Sequence, residues 1–260
     1  MKSYALCTPT TPELIEVYGE KHHISDFLLK LYTSPQEDSY AESKSLPIFA
    51  VADGVTLDFK KLLLTGRPYP DPSPSGAVAK LFCKEVVEQA EKLYEAFTKE
   101  SIIEIFAAAN EKVREHNDFI GEVIISGNIT EKYAATGSCM VIRENTVYWM
   151  RICDAYFAHF NADMQLKQIT SGSCDPYAVI NGDPEMQQYI ESGSSEIEPG
   201  DKLFLFTDGF QEHFKEPEFL DLFRTFDESL RTRIKDYSAK MNLIDPQRFG
   251  HEQTIIAVEA

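Results

Sequence analysis

Acidic residues stand at the ends of several apolar runs in this 260-residue sequence, where a carboxylate is costly unless a cation compensates its charge. They are Glu37 and Asp38 in "QED", Asp53 in "ADG", Asp154 in "CDA", Asp208 in "TDG" with Glu212 following, and Glu252 in "HEQ". No cluster of His or Cys accompanies them, and an all-carboxylate site favours hard ions such as Mg²⁺ or Mn²⁺. Two such ions that share one carboxylate lower the pKa of a water and hold a phosphoryl group. The pattern predicts a hydrolytic metal centre.

Each acidic site has a simpler interpretation when it is taken alone. Asp-Gly after a strand is more often a turn, because Gly reaches positive φ and Asp caps the backbone. Glu37 and Asp38 are more often surface charges, and Glu252 fits the start of an edge strand. Asp154, inside an apolar run, is harder to explain as a surface residue. The order of all the sites along the chain favours the metal centre.

The first half of the chain predicts one buried strand and two helices. Residues 48–52 are apolar without interruption, which is typical of a strand covered on both faces, and Gly54 ends it. The Pro-rich segment "RPYPDPSPSG" at 67–76 predicts a loop. From Gly76 to about Asn117 the apolar residues recur at helical spacing, so we expect two helices with a break near residues 98–101.

The second half predicts strands, then helices, then a final strand. The runs "AATGSCMVI", "TVYWMRICDAYFAHF" and "MQLKQIT" are separated by short polar turns, which predicts an antiparallel meander. A strand over residues 203–207, two amphipathic helices and the strand "EQTIIAVEA" follow. Helices grouped in blocks around antiparallel strands indicate an α+β sandwich. Because no flexible linker divides the chain, we expect one domain over residues 1–260.

Composition excludes some classes of function. The net charge of −17 and pI of about 4.8 argue against nucleic acid as a partner, which needs an electropositive face. No stretch approaches the roughly 18 apolar residues of a membrane span, and the N-terminus lacks the apolar region of a signal peptide. We therefore expect a cytoplasmic protein. Its five cysteines are dispersed without C-x-x-C spacing, which predicts reduced thiols with neither a disulfide nor a zinc site.

The ordered motifs resemble the protein phosphatase 2C family of metal-dependent phosphatases, in its bacterial-type branch. They are "PQED", "FAVADG", "ATGSCMVI", "RICDAYF", "LFLFTDGFQEHF" and "HEQTIIAV", and they run from about residue 36 to the C-terminus. Each motif alone is weak, whereas six in the family's order are a strong signal. The resemblance implies a four-layer α/β/β/α sandwich of two antiparallel sheets flanked by helices.

The resemblance also implies a role for each acidic residue. Asp53 would bridge two Mg²⁺ or Mn²⁺ ions, and Asp38 would support a metal-bound water. The water between the two ions would attack phosphorus. One ion would be completed by Asp208 and Glu252, the other by Glu37 and the Gly54 carbonyl, and a third ion by Asp154, Asp208 and Glu212. The implied substrate is a protein phosphorylated on serine or threonine.

The chain departs from the family pattern at several positions. Thr33 stands where an arginine often grips the substrate phosphate, Val55 follows the Asp-Gly pair, and Glu252 replaces the usual Asp. "CDAY" stands where the family has "GDSR". We hypothesise that three cations after the Asp-Gly pair supply the phosphate grip, although solvated loop charges are the simpler interpretation. They are Lys60, Lys61 and Arg67.

These observations leave more than one function open. The retained acidic set favours a metal-dependent serine/threonine phosphatase. The departures favour a catalytically weak or inactive relative that serves as a binding or scaffold module. A phosphatase for small-molecule phosphates is a third possibility.

Overall fold

A computed structural model describes residues 1–58, 62, 66–120, 123–126 and 129–260, with the backbone alone for 123–126 and 129–131. The described strands are β1 (Lys2–Thr8), β2 (Ser39–Glu42), β3 (Ile48–Gly54), β4 (Val123–Ser126), β5 (Ile129–Glu131), β6 (Ala135–Arg143), β7 (Thr146–Ile152), β8 (Tyr156–Phe160), β9 (Leu166–Ile169), β10 (Glu191–Glu196), β11 (Lys202–Phe206) and β12 (Gln253–Glu259). The described α-helices are α1 (Pro12–Lys21), α2 (Asp26–Leu29), α3 (Pro74–Leu93), α4 (Ser101–Ile120), α5 (Pro217–Asp221), α6 (Leu230–Ile244) and α7 (Pro246–Phe249).

Two antiparallel five-stranded sheets form the centre of the molecule. Sheet 1 has the order β1-β12-β11-β8-β9, and sheet 2 has the order β10-β7-β6-β3-β2. One apolar cluster lies between the sheets, one between sheet 2 and helices α3 and α4, and one between sheet 1 and helices α5 and α6. The predicted α+β class and the four-layer α/β/β/α sandwich are confirmed.

Strand β3 explains why its sequence is apolar without alternation. Ile48, Ala50 and Ala52 pack toward α3 and α4, whereas Phe49 and Val51 pack between the two sheets. Both faces of the strand are therefore removed from water, as the uninterrupted run predicted.

The predicted helix pair is also present. Helix α3 begins at Pro74 behind an N-cap in which Ser73 Oγ accepts a hydrogen bond from the Gly76 N–H. A short 3₁₀ turn over Tyr94–Ala96 follows α3, and α4 begins at Ser101, so the break falls where the sequence predicted it. Neither these helices nor any other helix in the described part of the chain is long and apolar enough to cross a membrane.

The continuous meander predicted for the middle of the chain is wrong at one point. Strands β6 and β7 pair in sheet 2, but β8 and β9 pair in sheet 1, so the chain changes sheets between Ile152 and Tyr156. Cys153 adopts φ 62° at this crossing. Asp154 consequently lies in a turn between the two sheets and not inside a strand. Local sequence misses such a crossing because the residues on both sides are equally apolar.

The prediction that all five cysteines are reduced is contradicted by the structure. Cys153 and Cys174 form a disulfide, whereas Cys7, Cys83 and Cys139 are free thiols. The pair is 21 residues apart, and its members meet only because the chain after β9 returns to the sheet crossing. Sequence spacing carries no signal for such a contact.

Candidate metal centre

The strand ends that carry the acidic residues all lie at one end of the sandwich. In sheet 2, β3 ends at Asp53 and Gly54, and its antiparallel partner β2 begins just after Asp38. In sheet 1, β11 ends just before Asp208, and its antiparallel partner β12 begins just after Glu252. The β7–β8 crossing brings Asp154 close enough to interact electrostatically with Asp53 of one pair and Asp208 of the other. The topology therefore brings together residues far apart in the sequence, such as Asp38 and Glu252, which are separated by 214 positions.

Asp38 is buried, and only one of its two carboxylate oxygens has a hydrogen-bond partner among the described residues. Its Oδ2 accepts a hydrogen bond of 2.8 Å from the Thr207 hydroxyl, and Thr207 Oγ1 in turn accepts from the Thr254 N–H. Its Oδ1 is buried and has no hydrogen-bond partner among the described residues. Burial raises the pKa of Asp38 to about 7. A buried, unpartnered carboxylate oxygen is costly unless something positive binds it.

Glu252 links the two sheets at the site. Its Oε1 accepts hydrogen bonds from the Glu37 N–H at 2.7 Å, from the Asp38 N–H, and from the Gln36 side chain. Burial, followed by the charge of Asp38, raises the pKa of Glu252 to about 8. The longer side chain of Glu252 thus holds the backbone that precedes β2, a task that its position in the sequence did not suggest.

The remaining carboxylates of the cluster repel one another. Burial raises the pKa of Asp53 well above its usual value, and neighbouring negative charges raise it further. Those charges belong to Asp38, Asp208, Glu252 and Asp154. Asp208 is solvent-exposed at the mouth of the cluster, yet the surrounding protein and the charge of Asp154 raise its pKa to about 6. Asp154 Oδ1 is buried without a hydrogen-bond partner among the described residues.

This arrangement fits divalent cations. Five carboxylates share one strand-end cluster, and two of them leave a buried oxygen unpartnered among the described residues. Burial and neighbouring negative charges raise the pKa of Asp38, Asp53, Asp208 and Glu252. An all-oxygen donor set suits Mg²⁺ or Mn²⁺ better than a softer metal. The cluster residues are Asp38, Asp53, Asp154, Asp208 and Glu252.

Three hydroxyl groups surround the Glu37 carboxylate, which sets it apart from the carboxylates of the five cluster residues. Its carboxylate accepts hydrogen bonds of 2.8 Å from Thr56 and from Tyr69, and a further hydrogen bond from Ser73. Tyr69 is fully buried within the Pro-rich loop, where the sequence offered no sign of a functional residue. These hydroxyls satisfy the Glu37 carboxylate without a cation, so a ligand role for Glu37 stays a prediction.

Glu212 has cationic partners of its own. Its carboxylate contacts Lys215 and accepts hydrogen bonds of 3.1 and 2.9 Å from Nε and Nη2 of Arg248. Hydrogen bonds from Lys215 and Arg248 lower its pKa. Of the three residues predicted for a third ion, Asp154 and Asp208 interact electrostatically, whereas Glu212 is neutralised by its two cations.

The two Asp-Gly turns bring backbone segments into close contact. A Cβ at Gly54 would lie 2.6 Å from the Ser75 carbonyl carbon at the start of α3. A Cβ at Gly209 would overlap the Glu252 carbonyl oxygen. Both positions therefore require glycine because a side chain would not fit there. The backbone conformation does not require it, since neither φ is positive. Metal ligation by the Gly54 carbonyl stays a prediction.

Gly209→Ala is expected to destabilise the protein by about 1–3 kcal/mol, because the added methyl must push apart the backbone segments that carry Gly209 and Glu252. Chemical denaturation of the metal-free protein measures this as a lower unfolding midpoint. An unchanged midpoint would contradict the close approach of Gly209 to Glu252.

The residues predicted to grip a phosphate are described only in part. Lys60 and Lys61 lie outside the described residues, and Arg67 is exposed, so the hypothesis stays a prediction. Thr33 is exposed as well. Val55 packs on a small apolar cluster with Ala134, Cys153, Val179 and Cys174, which accounts for an apolar residue after the Asp-Gly turn.

Comparisons with known proteins identify relatives of this chain. A family model described as Protein phosphatase 2C matches residues 32–244. No curated protein is similar enough in sequence to match the chain.

Solved structures share the fold at low sequence identity. The serine/threonine phosphatase PstP/Ppp of Mycobacterium tuberculosis is 12% identical, with a TM-score of 0.62 over 99% of this chain and 97% of that one. A PstP catalytic domain solved with two manganese ions is 12% identical, with a TM-score of 0.60 over 98% and 96% of the two chains. PppA of Pseudomonas aeruginosa is 12% identical, with a TM-score of 0.59 over 100% and 97%.

Proposed function

Because the chain belongs to the protein phosphatase 2C family, we propose that it is a metal-dependent phosphatase that hydrolyses phosphoserine and phosphothreonine in proteins. The observation that carries this proposal is the strand-end cluster, in which buried oxygens of Asp38 and Asp154 have no hydrogen-bond partner among the described residues. The manganese ions of the related PstP structure support the choice of Mg²⁺ or Mn²⁺. A cytoplasmic location is part of the same proposal.

The ligand assignment follows the cluster. Asp53 would be shared by two ions, with Asp208 and Glu252 on one and the Gly54 carbonyl on the other. Glu37 is the predicted ligand of the second ion with the least support, because three hydroxyls already satisfy it. A third ion would rely on Asp154 and Asp208, since Glu212 is paired with cations.

The protein's own groups have separable tasks in the reaction. When bound, the ions supply positive charge that polarises a phosphoryl group and lowers the pKa of water. Asp38 presents Oδ1 to the attacking water as a proton acceptor, because Thr207 holds Oδ2 and fixes the orientation of the carboxylate. Glu252 keeps Asp38 in position through the backbone hydrogen bonds that it accepts from residues 37 and 38. Lys60, Lys61 and Arg67 are the proposed phosphate grip.

A second candidate function is a binding module with little or no turnover. The exposed Thr33 and the apolar packing of Val55 favour it, because neither residue offers a charge to a substrate phosphate. The two candidates differ in turnover and agree on metal binding, so hydrolysis and metal-dependent stability must be measured separately.

Hydrolysis of a phosphothreonine peptide with Mn²⁺, and again with chelator, tests the proposal. We expect Asp208→Asn to lower kcat/KM by about 100-fold or more, because it removes one charge from a shared ligand set. Asp236→Asn is a matched control on the exposed face of α6 and should leave the rate unchanged. Equal rates with Mn²⁺ and with chelator in the wild type and both variants would contradict the proposed phosphatase activity. Stabilisation by Mn²⁺ without hydrolysis would favour the binding module.

A further inference from the structure

The Cys153–Cys174 disulfide stands directly beside one carboxylate of the cluster. The sulfur atoms and a carboxylate oxygen of Asp154 all lie within 4.8 Å of one another. Cys153 is also the residue that turns the chain from sheet 2 to sheet 1, with φ 62°. The bond therefore joins the backbone that sets the position of Asp154 to the segment that carries Cys174.

One buried side chain binds the segment of residues 171–177 to the sheet crossing at several points. Arg151, buried on β7, donates to the carbonyl oxygens of Cys153 and Ser173, to the Ser171 hydroxyl, and to the Glu191 carboxylate. Most residues of the segment are exposed, and Cys174 is half-buried. An oxidant or reductant in solution can thus reach the bond from the Cys174 side.

The other cysteines are poor candidates for redox chemistry. Cys83 and Cys139 are fully buried in the core beside α3 and α4, and burial raises the pKa of Cys139 to about 12. Burial likewise raises the pKa of Cys7 to about 12. Thiols with such pKa values are almost wholly protonated, and the thiolate is the reactive form. Reaction would therefore concentrate on the Cys153–Cys174 pair.

We propose that Cys153 and Cys174 are a site of reversible oxidation that controls how tightly the cluster binds a divalent ion through Asp154. Oxidation by hydrogen peroxide would begin at Cys174, whose thiolate attacks one peroxide oxygen to give a sulfenic acid and hydroxide. The Cys153 thiol then displaces that oxygen as water and forms the disulfide. Two electrons pass from the sulfurs to the peroxide, and a dithiol reverses the reaction by exchange.

Loss of the bond would loosen the turn that holds Asp154. Reduction replaces the covalent link with two unbonded thiols, so the turn at Cys153 loses a constraint on its position. The largely exposed 171–177 segment is then no longer tied covalently to the sheet crossing. Asp154 would then have to be ordered at the moment of metal binding, which lowers the affinity.

The inference rests on the proposed metal-dependent function, and its test uses readouts that need no hydrolysis. Protein stripped of metal with chelator is split into a peroxide-treated and a dithiol-treated sample. Peptide mapping without reductant should find Cys153 cross-linked to Cys174 in the first sample alone. That sample should melt about 5–10 °C higher without metal. In a Mn²⁺ titration of melting temperature, its affinity for Mn²⁺ should be about tenfold higher.

Two variants separate the site from general thiol chemistry. Cys174→Ser should abolish the cross-link and the differences between the two samples, whereas Cys139→Ala, at a buried thiol in the core on β6, should keep them. A missing cross-link, or equal Mn²⁺ affinity in both samples, overturns the inference and leaves the proposed function standing. If Mn²⁺ raises the melting temperature of neither sample, both the inference and the proposed metal-dependent function are overturned. If the Mn²⁺ affinity depends on the redox state but the protein hydrolyses no phosphopeptide, the inference is upheld and the proposed phosphatase activity is contradicted.

Discussion

Asp53→Asn is expected to stabilise the metal-free protein while removing its catalytic activity. Burial and the charges of four neighbouring carboxylates raise the pKa of Asp53, so a neutral amide of the same shape relieves repulsion when no ion is present. With Mn²⁺ the same substitution removes the ligand proposed to be shared by two ions. We expect kcat/KM to fall by about 1,000-fold or more, and the stabilisation by Mn²⁺ to disappear.

Two measurements check this prediction together. Melting curves with chelator should show Asp53→Asn equal to or above the wild type, and curves with Mn²⁺ should show it below. Asp236→Asn should follow the wild type in both conditions. If Asp53→Asn lowered the melting temperature with chelator present, Asp53 would be held by hydrogen bonds and not strained by repulsion, and the cation-binding interpretation of the cluster would lose its main support.

The second large effect is a loss of stability in the metal-free protein as pH rises. Folding raises the pKa of Asp208 from 3.8 to about 6, of Asp38 from 3.8 to about 7, and of Glu252 from 4.5 to about 8. The folded protein therefore binds more protons than the unfolded chain between about pH 4 and pH 8. Stability contributed by these protonated carboxyls is complete below pH 4 and is lost as pH passes through the folded values.

Denaturation with chelator at a series of pH values measures this loss. Buried Asp38 dominates this effect, because water screens the charges of exposed Asp208 and half-buried Glu252, and we expect a loss of at least about 2 kcal/mol between pH 5 and pH 8. Saturating Mn²⁺ should flatten the profile, since an ion that binds only the deprotonated folded form offsets the loss. A stability that rises across this range with chelator present would contradict the raised pKa values.

The location of the acidic residues could be predicted from the sequence, and the details of their contacts could not. Apolar runs that end in Asp53 or Asp208 indicate strand ends, because a strand buried on both faces has to stop where a carboxylate begins. Glu37 shows the limit of this reasoning. It stands beside Asp38 in the sequence, yet Tyr69 and Ser73 from the Pro-rich loop surround its carboxylate, and no local pattern predicts that they meet it.

The fold class followed from local properties, and the failures came from contacts between distant residues. Apolar residues at intervals of about three to four predict α3 and α4 regardless of what these helices pack against, because the helical period is a local property. The chain changes sheets at Cys153 and Asp154 because β7 pairs with β6 whereas β8 pairs with β11. The two strands are equally apolar, so the sequence does not show that their partners differ.

By itself, the sequence determined the α+β class, the helix pair α3 and α4, and the strand ends at Asp53 and Asp208. Only the tertiary structure decided that Glu252 holds the backbone of residues 37 and 38, and that Cys174 returns to Cys153 beside Asp154. Burial and periodicity are encoded in neighbouring residues, whereas these contacts exist only after both sheets have formed and brought their ends together.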